Sequence, residues 1–292
     1  MNLNHGKTDL SAVQLLPSLC RPHINADNYP VLVIAKYEPL LARLKLSTLE
    51  QVESFPRVNA SRRRPLKREI TRLVGEDNGL ERVFFMKRNW ISHKKDGIAS
   101  IFRNGAVWSI ARQEWENARA LENAGLRMAG LVAYGEECGL LWERFSFIIT
   151  EAAPGETIDE FFRDCRDHVF RHRVLLALAK FVKKLHEAGM ATPDLFTRHI
   201  FLANENADPQ FCLIDMARLD RCKNPSARTR ARDLAALNVT ASPEIVSARE
   251  RVSFLRAYAG HVDRQFFNLI RRRMKRLLTR KKHRRAFLGE KL

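Results

Sequence analysis

The sequence predicts a two-lobed α+β protein, with a β-rich first lobe and a compact helical second lobe. Three observations carry this. Alternating apolar segments fill the first half, helical spacing dominates the second, and the second half also holds a short hairpin bearing two aspartates. At 292 residues, the chain is long enough for one large domain or two modest ones.

Residues 1–54 read as an N-terminal arm, irregular over its first 40 or so residues and ending that stretch in the apolar run YPVLVIA. Residues 55–150 read as the first lobe. Within it KREITRLV, the turn-forming GEDNG and ERVFFMKR make a hairpin. The segment SIARQEWENARALENAG sets Trp115, Ala118 and Leu121 along one helical face and stops at Gly125. Two strands follow, GLVAYGE and FSFIITE. A break at Pro154-Gly155 and an acidic helix start then mark a connection into the second lobe, residues 151–260.

In that lobe Val174, Leu178, Phe181 and Leu185 keep the spacing of a buried helix ending at Gly189. A loop ATPDLFTR, a strand HIFL, a turn NENADPQ and a strand FCLID come next. Over 261–292, Phe267, Ile270, Met274, Leu277 and Leu278 recur between basic residues, which describes a basic amphipathic helix.

Lys and Arg number 51 against 33 Asp and Glu, a net charge of +18. Such a balance points to a polyanionic partner: nucleic acid, an anionic membrane surface or a phosphorylated glycan. From Arg264 onward there are twelve basic residues and one acid, Glu290. A nucleic-acid arm is one reading of this tail, opposed by its apolar stripe and by the lack of a nucleic-acid fold motif. The five cysteines (20, 138, 165, 212 and 222) are scattered, so neither a disulfide framework nor a zinc site is suggested, and they read as small buried hydrophobes. With no leader-like start and no run of about 18 apolar residues, a cytoplasmic protein with at most peripheral membrane contact is expected.

Two pairs of residues suggest chemistry. Asp194 lies in the loop before HIFL and Asp215 ends FCLI, so the hairpin brings both carboxylates to one end of a small sheet. Phosphoryl transfer needs one carboxylate to orient the attacking hydroxyl and another to hold the metal. Loop aspartates also serve simply as turn and cap formers. Lys87 ends VFFMK and Glu114 lies on the next helix, the order of the pair that holds nucleotide α/β-phosphates in protein kinases; a solvated Lys and a surface Glu are the plainer alternative. Trp90 and Trp115 read as core or interface aromatics.

Together these residues resemble the lipopolysaccharide core sugar kinases, bacterial heptose and Kdo kinases with a protein-kinase-like fold, over roughly residues 55–260. FFMKR is similar to the strand lysine motif and RQEWENARAL to the partner helix. The resemblance implies Lys87 and Glu114 as nucleotide-binding residues, with Glu116 as the alternative to Glu114. LHEAGMATPDLFTRHIFL is similar to the catalytic stretch, implying Asp194 as catalytic residue and His199 at a metal or phosphate position. CLIDMARLDR implies Asp215 as metal ligand, and RARDLAALNVTAS implies Asp233 as a brace for the catalytic loop.

The sequence departs from the family pattern in having Thr192-Pro193 where His-Arg precedes the aspartate, and SRRRP (Arg62, Arg63, Arg64) in place of a glycine-rich loop. Proline fixes its own φ and restricts Thr192, which stiffens the loop by another route. The expected activity is ATP- and Mg²⁺-dependent phosphorylation of a heptose or Kdo hydroxyl in the lipopolysaccharide inner core. The site would be the inner face of the Gram-negative inner membrane, with the basic helix on its anionic surface. The alternative is a pseudokinase that binds nucleotide or glycan and regulates a partner.

Overall fold

The computed structural model describes residues 20–24, 30–57, 67–77, 79–90, 100–101, 105–204, 208–261 and 263–279. They fall into two compact units, one drawn from residues up to 115 and from 130–152, the other from 116–129 and from 153 onward. The loop holding Arg62, Arg63 and Arg64, the first 19 residues and residues 280–292 lie outside the described residues.

The chain runs through β1 (Cys20–Ile24), β2 (Pro30–Ile34), α1 (Glu38–Arg43), α2 (Leu49–Ser54), β3 (Arg68–Asp77), β4 (Leu80–Trp90), α3 (Ile110–Asn123), β5 (Arg127–Met128), β6 (Leu131–Cys138) and β7 (Glu143–Glu151). In the first unit six strands form one antiparallel sheet in the order β1-β2-β6-β7-β4-β3. The β3–β4 hairpin pairs from Arg68↔Asn89 to Asp77↔Leu80 and turns through Gly79, whose φ of +78° lies in the left-handed region that glycine enters without steric cost. One face of the sheet is closed by aromatic and aliphatic side chains, among them Phe84, Met86, Phe145 and Phe147.

Residues 30–54, assigned to an arm from the sequence, are instead part of this core. Val31, Val33, Tyr37, Leu40, Leu41, Leu49 and Val52 are buried in it, and YPVLVIA carries β2, which pairs with β6. The two helices have only six residues each, too short for periodicity to announce them. A capping box does start α2: the Thr48 hydroxyl accepts from the Gln51 amide, and the Gln51 side chain accepts from the Thr48 amide.

The second unit continues with β8 (Glu156–Thr157), α4 (Ile158–Asp164), α5 (His168–Glu187), β9 (Met190–Ala191), β10 (Ile200–Asn204), β11 (Gln210–Leu213), β12 (Asp220–Arg221), α6 (Ala227–Thr240), α7 (Ala248–Ala259) and α8 (Arg264–Thr279). Helix α5 buries Val174, Leu178, Val182 and Leu185. It stops at Gly189, with φ +77°, where a Cβ would run into the Cys222 carbonyl. Strands β10 and β11 form the expected hairpin inside a sheet ordered β5-β11-β10-β8, and β9 pairs with β12.

The C-terminal helix departs from expectation. Helix α8 packs on α6 and buries Phe266, Ile270 and Leu277, while Leu278 is exposed. Its apolar face is thus occupied within the second unit, and Arg264, Arg271, Arg272, Lys275 and Arg276 are what it presents to solvent. Among the cysteines, Cys212 is buried and Cys222 exposed, so the latter is no core hydrophobe. No helix of the described residues is long and apolar enough to cross a membrane.

Candidate functional site

Lys87 sits in β4, between β3 and β7, paired with Ile70 on one side and Ile148 on the other. It therefore lies on an interior strand. A buried ammonium needs a counter-charge, and Glu114 supplies it: Nζ lies 2.6 Å from Oε1, with both side chains buried. Glu116, the alternative, points its carboxylate instead at Arg119 of its own helix, 3.8 Å away.

Helix α3 is positioned by acids that sequence reasoning missed. Ser109 caps it by accepting from the Arg112 amide at 2.9 Å. Glu136 of β6 accepts from the Ser109 amide and Glu143 of β7 from the Ile110 amide, each at 3.2 Å. Two carboxylates at a helix N-terminus suit its partial positive charge. Glu143 also accepts from the Ser146 hydroxyl, which in turn accepts from Asn89 at 3.3 Å, so the helix start is tied to the strands beside Lys87. The available signal was acidic residues in otherwise apolar strands. Burial, aided by Glu136 and Glu143, pushes the nearby Cys138 thiol far up, leaving it inert.

In the second unit the loop after β9 holds Asp194. The Thr192 amide donates to Asp233 Oδ2 at 2.7 Å, and the Thr192 hydroxyl accepts from the Asp194 amide at 3.2 Å. Asp233 is fully buried and takes further contacts from Arg232 Nε at 2.7 Å and His186 Nε2 at 3.4 Å. Thr192-Pro193 thus keeps a braced loop without the His-Arg pair.

His199 reaches back to the same loop, with Nδ1 2.9 Å from the Asp194 carbonyl oxygen. Burial is the largest influence on its pKa and lowers it, outweighing the opposing charge of Asp215 and the bond to that carbonyl. The imidazole is therefore neutral near pH 7. A carbonyl only accepts, which assigns the proton to Nδ1 and leaves a lone pair on Nε2.

Asp215 follows β11 with φ +58°, a left-handed conformation that aspartate tolerates better than most residues. The backbone around it is fixed: the Ile214 amide donates to the His199 carbonyl at 3.0 Å, and Asn117 Nδ2 donates to the Met216 carbonyl at 2.9 Å. Among the described residues no cluster of three or more His, Cys, Asp or Glu is arranged for a metal ion. The Asp215 carboxylate fits a hard cation whose further ligands are phosphate oxygens and water, whereas an imidazole nitrogen is a less usual ligand for such an ion.

One contact was passed over in the sequence although it lies inside CLIDMARLDR. Arg218 Nη1 lies 3.0 Å from Asp194 Oδ1 and 3.2 Å from Oδ2. The structure thus groups Lys87 with Glu114 in the first unit and Asp194 with His199, Asp233 and Arg218 in the second, with Asp215 close to the His199 imidazole.

Residues 63–258 match the model of a family described as the lipopolysaccharide kinase (Kdo/WaaP) family. Over 157 residues the chain is 32% identical to the lipopolysaccharide core heptose(I) kinase WaaP of Pseudomonas aeruginosa, a match covering 51% of this chain and 59% of that relative. A solved structure described as WaaP in complex with acyl carrier protein is similar with a TM-score of 0.57 and 25% identity, covering 82% of this chain and 96% of that one. This likeness bears out the protein-kinase-like α+β fold expected from the sequence.

Proposed function

The chain belongs to the lipopolysaccharide kinase (Kdo/WaaP) family, and from that premise we propose that it transfers the γ-phosphoryl group of ATP to a heptose or Kdo hydroxyl of the lipopolysaccharide inner core. The observation that carries this reading is the buried 2.6 Å ion pair between Lys87 and Glu114. An exposed pair of this kind has little energetic weight, whereas a buried one, placed on an interior strand and a capped helix, is a prepared site for nucleotide phosphates.

In this reading Lys87, held by Glu114, binds the α/β-phosphates. Asp194 orients the acceptor hydroxyl and takes its proton. Asp215 and the free Nε2 of His199 would hold Mg²⁺, whose contribution is to neutralise the nucleotide phosphates. The exposed basic face of α8 favours an anionic membrane surface, at about 1 kcal/mol per Lys or Arg near it. The complex named for the similar solved structure makes an acyl carrier protein a second candidate partner.

The test is transfer from γ-labelled ATP to lipopolysaccharide with a phosphate-deficient inner core. Label should enter the glycan and vanish with Asp194→Ala or without Mg²⁺. Nucleotide binding without transfer would instead favour a pseudokinase.

A further inference from the structure

The loop that carries Asp194 offers little positive charge of its own to the reacting centre. From Asp194 to His199 its one permanently cationic side chain is Arg198, whose guanidinium stacks on the Phe196 ring, 4.7 Å from its centroid. Yet charge spreads over the three equatorial oxygens of a phosphoryl group in flight, and a cation placed there lowers the barrier.

Arg218 is the cation that the structure brings to Asp194. Its Nη1 contacts both carboxylate oxygens, at 3.0 and 3.2 Å, while its side chain stays 68% exposed. Among the described residues nothing else engages its guanidinium, so most of its five N–H donors remain available. Its backbone, by contrast, is fixed. Met216 and Leu219 on either side are buried, the Leu219 amide donates to the Met216 carbonyl at 3.1 Å, and Asn117 holds the Met216 carbonyl from α3 at 2.9 Å. Immediately after it, β12 pairs Asp220 with Ala191, next to Thr192. An exposed guanidinium on a rigid stem, resting on the catalytic carboxylate, has the makings of a transition-state contact.

We propose that Arg218 is a catalytic arginine acting in cis on the transferred phosphoryl group, an inference that rests on the kinase reading above. In the step, the sugar oxygen forms a bond to the γ-phosphorus and the bond from that phosphorus to the bridging β,γ-oxygen breaks. The electron pair stays on the departing ADP, and the hydroxyl proton passes to Asp194. Arg218 donates to the equatorial oxygens and neutralises their charge while one N–H keeps Asp194 oriented.

The experiment compares the full-length protein with Arg218→Ala and Arg218→Lys by steady-state transfer, nucleotide binding and thermal melting. An arginine in this role is worth roughly 10³–10⁵ in kcat. Arg218→Ala should therefore lose at least about a hundredfold in kcat, with the ATP dissociation constant and the melting temperature nearly unchanged. Added guanidinium ion should restore part of the rate, and Arg218→Lys should fall between the two. Unchanged kcat would overturn the proposal, as would a loss confined to the KM for the glycan, which would make Arg218 an acceptor-binding residue. A loss tracking the melting temperature without rescue would make it a structural one. Absence of transfer by the intact protein would overturn the kinase reading and this inference with it, whereas an active Arg218→Ala variant overturns this inference alone.

Discussion

The amide of Thr192 donates to the Asp233 carboxylate at 2.7 Å, and neither residue is exposed to solvent. Asp233 is the single acceptor on which Arg232, His186 and the loop that holds Asp194 converge. Replacing it with alanine strands a buried N–H and a partly buried guanidinium, at a cost of about 3–5 kcal/mol. Asp233→Asn keeps the volume and one carbonyl acceptor and should cost roughly half as much. Urea unfolding followed by a transfer assay measures both. Wild-type stability in Asp233→Ala would mean that the loop is braced elsewhere.

Lys87 and Glu114 predict an asymmetry. Lys87→Ala leaves a buried carboxylate without its counter-charge and should destabilise the protein by about 3–5 kcal/mol as well as abolish transfer. Glu114→Gln preserves a hydrogen bond to Lys87, so the fold should survive. The lysine is then less firmly held, and kcat/KM for ATP should fall by about 10–100-fold, a loss of roughly 1.4–2.8 kcal/mol of transition-state binding. Equal kcat/KM in Glu114→Gln and wild type would remove the pair from nucleotide binding.

Much of this was legible in the sequence because the signals were local. The hairpin before Lys87, the helix starting near Ser109 and the glycines closing α3 and α5 all follow from short-range pattern and turn chemistry. What was not legible depends on long-range partners. Residues 30–54 looked like an arm because each six-residue helix buries its apolar side only when the sheet is present. Helix α8 looked like a membrane-facing amphipath because periodicity reveals an apolar face without saying what covers it. Arg218 carried no signal beyond its place near Asp215, since its role lies in a contact 24 residues back along the chain.

Arg88 is a further long-range case, and it yields a stability prediction. Fully buried, it donates to Glu69 at 2.7 Å and to the carbonyls of Val52 at 3.2 Å, Phe55 at 2.5 Å and Pro56 at 3.1 Å, satisfying the end of α2. Arg88→Met should cost about 3–5 kcal/mol, because the buried Glu69 carboxylate then loses the guanidinium 2.7 Å from it. Adding Glu69→Leu removes that charge and should recover part of the loss. If the double variant is no more stable than Arg88→Met, the carbonyl contacts, and not the ion pair, dominate.

Acid stability should be governed in part by Glu250. Burial is the largest single influence on it and raises its pKa. Hydrogen bonds from Arg171 and Ser247, with the charge of Arg171, outweigh that and hold the carboxyl below its ordinary 4.5. The folded state therefore binds fewer protons than the unfolded one. The stabilisation is complete above about pH 4.5 and is lost as the pH falls through the lower folded value. Glu250→Gln removes the ion pair and weakens the capping box, which should cost about 1 kcal/mol at pH 7. The variant should also melt with less dependence on pH below 4.5; parallel profiles for the two proteins would be the adverse result.

The buried face of α8 determines how membrane binding has to be tested. Ending the chain at Asp263 removes Phe266, Ile270 and Leu277 from the second unit, and Phe266 stacks on Tyr258 with ring centroids 6.1 Å apart. Loss of even one such side chain typically costs about 2–5 kcal/mol, so truncation should unfold that unit and says nothing about lipid. The informative variant replaces Arg271, Arg272, Lys275 and Arg276, all exposed, with glutamine. Its melting temperature should stay within a few degrees of wild type, because surface charges contribute little to stability. At about 1 kcal/mol per charge near an anionic leaflet, its partitioning onto anionic vesicles should weaken by at least tenfold, with no change on zwitterionic ones. Sedimentation with the two kinds of vesicle decides it, and equal binding of variant and wild type to anionic vesicles would mean that this helix is not the contact.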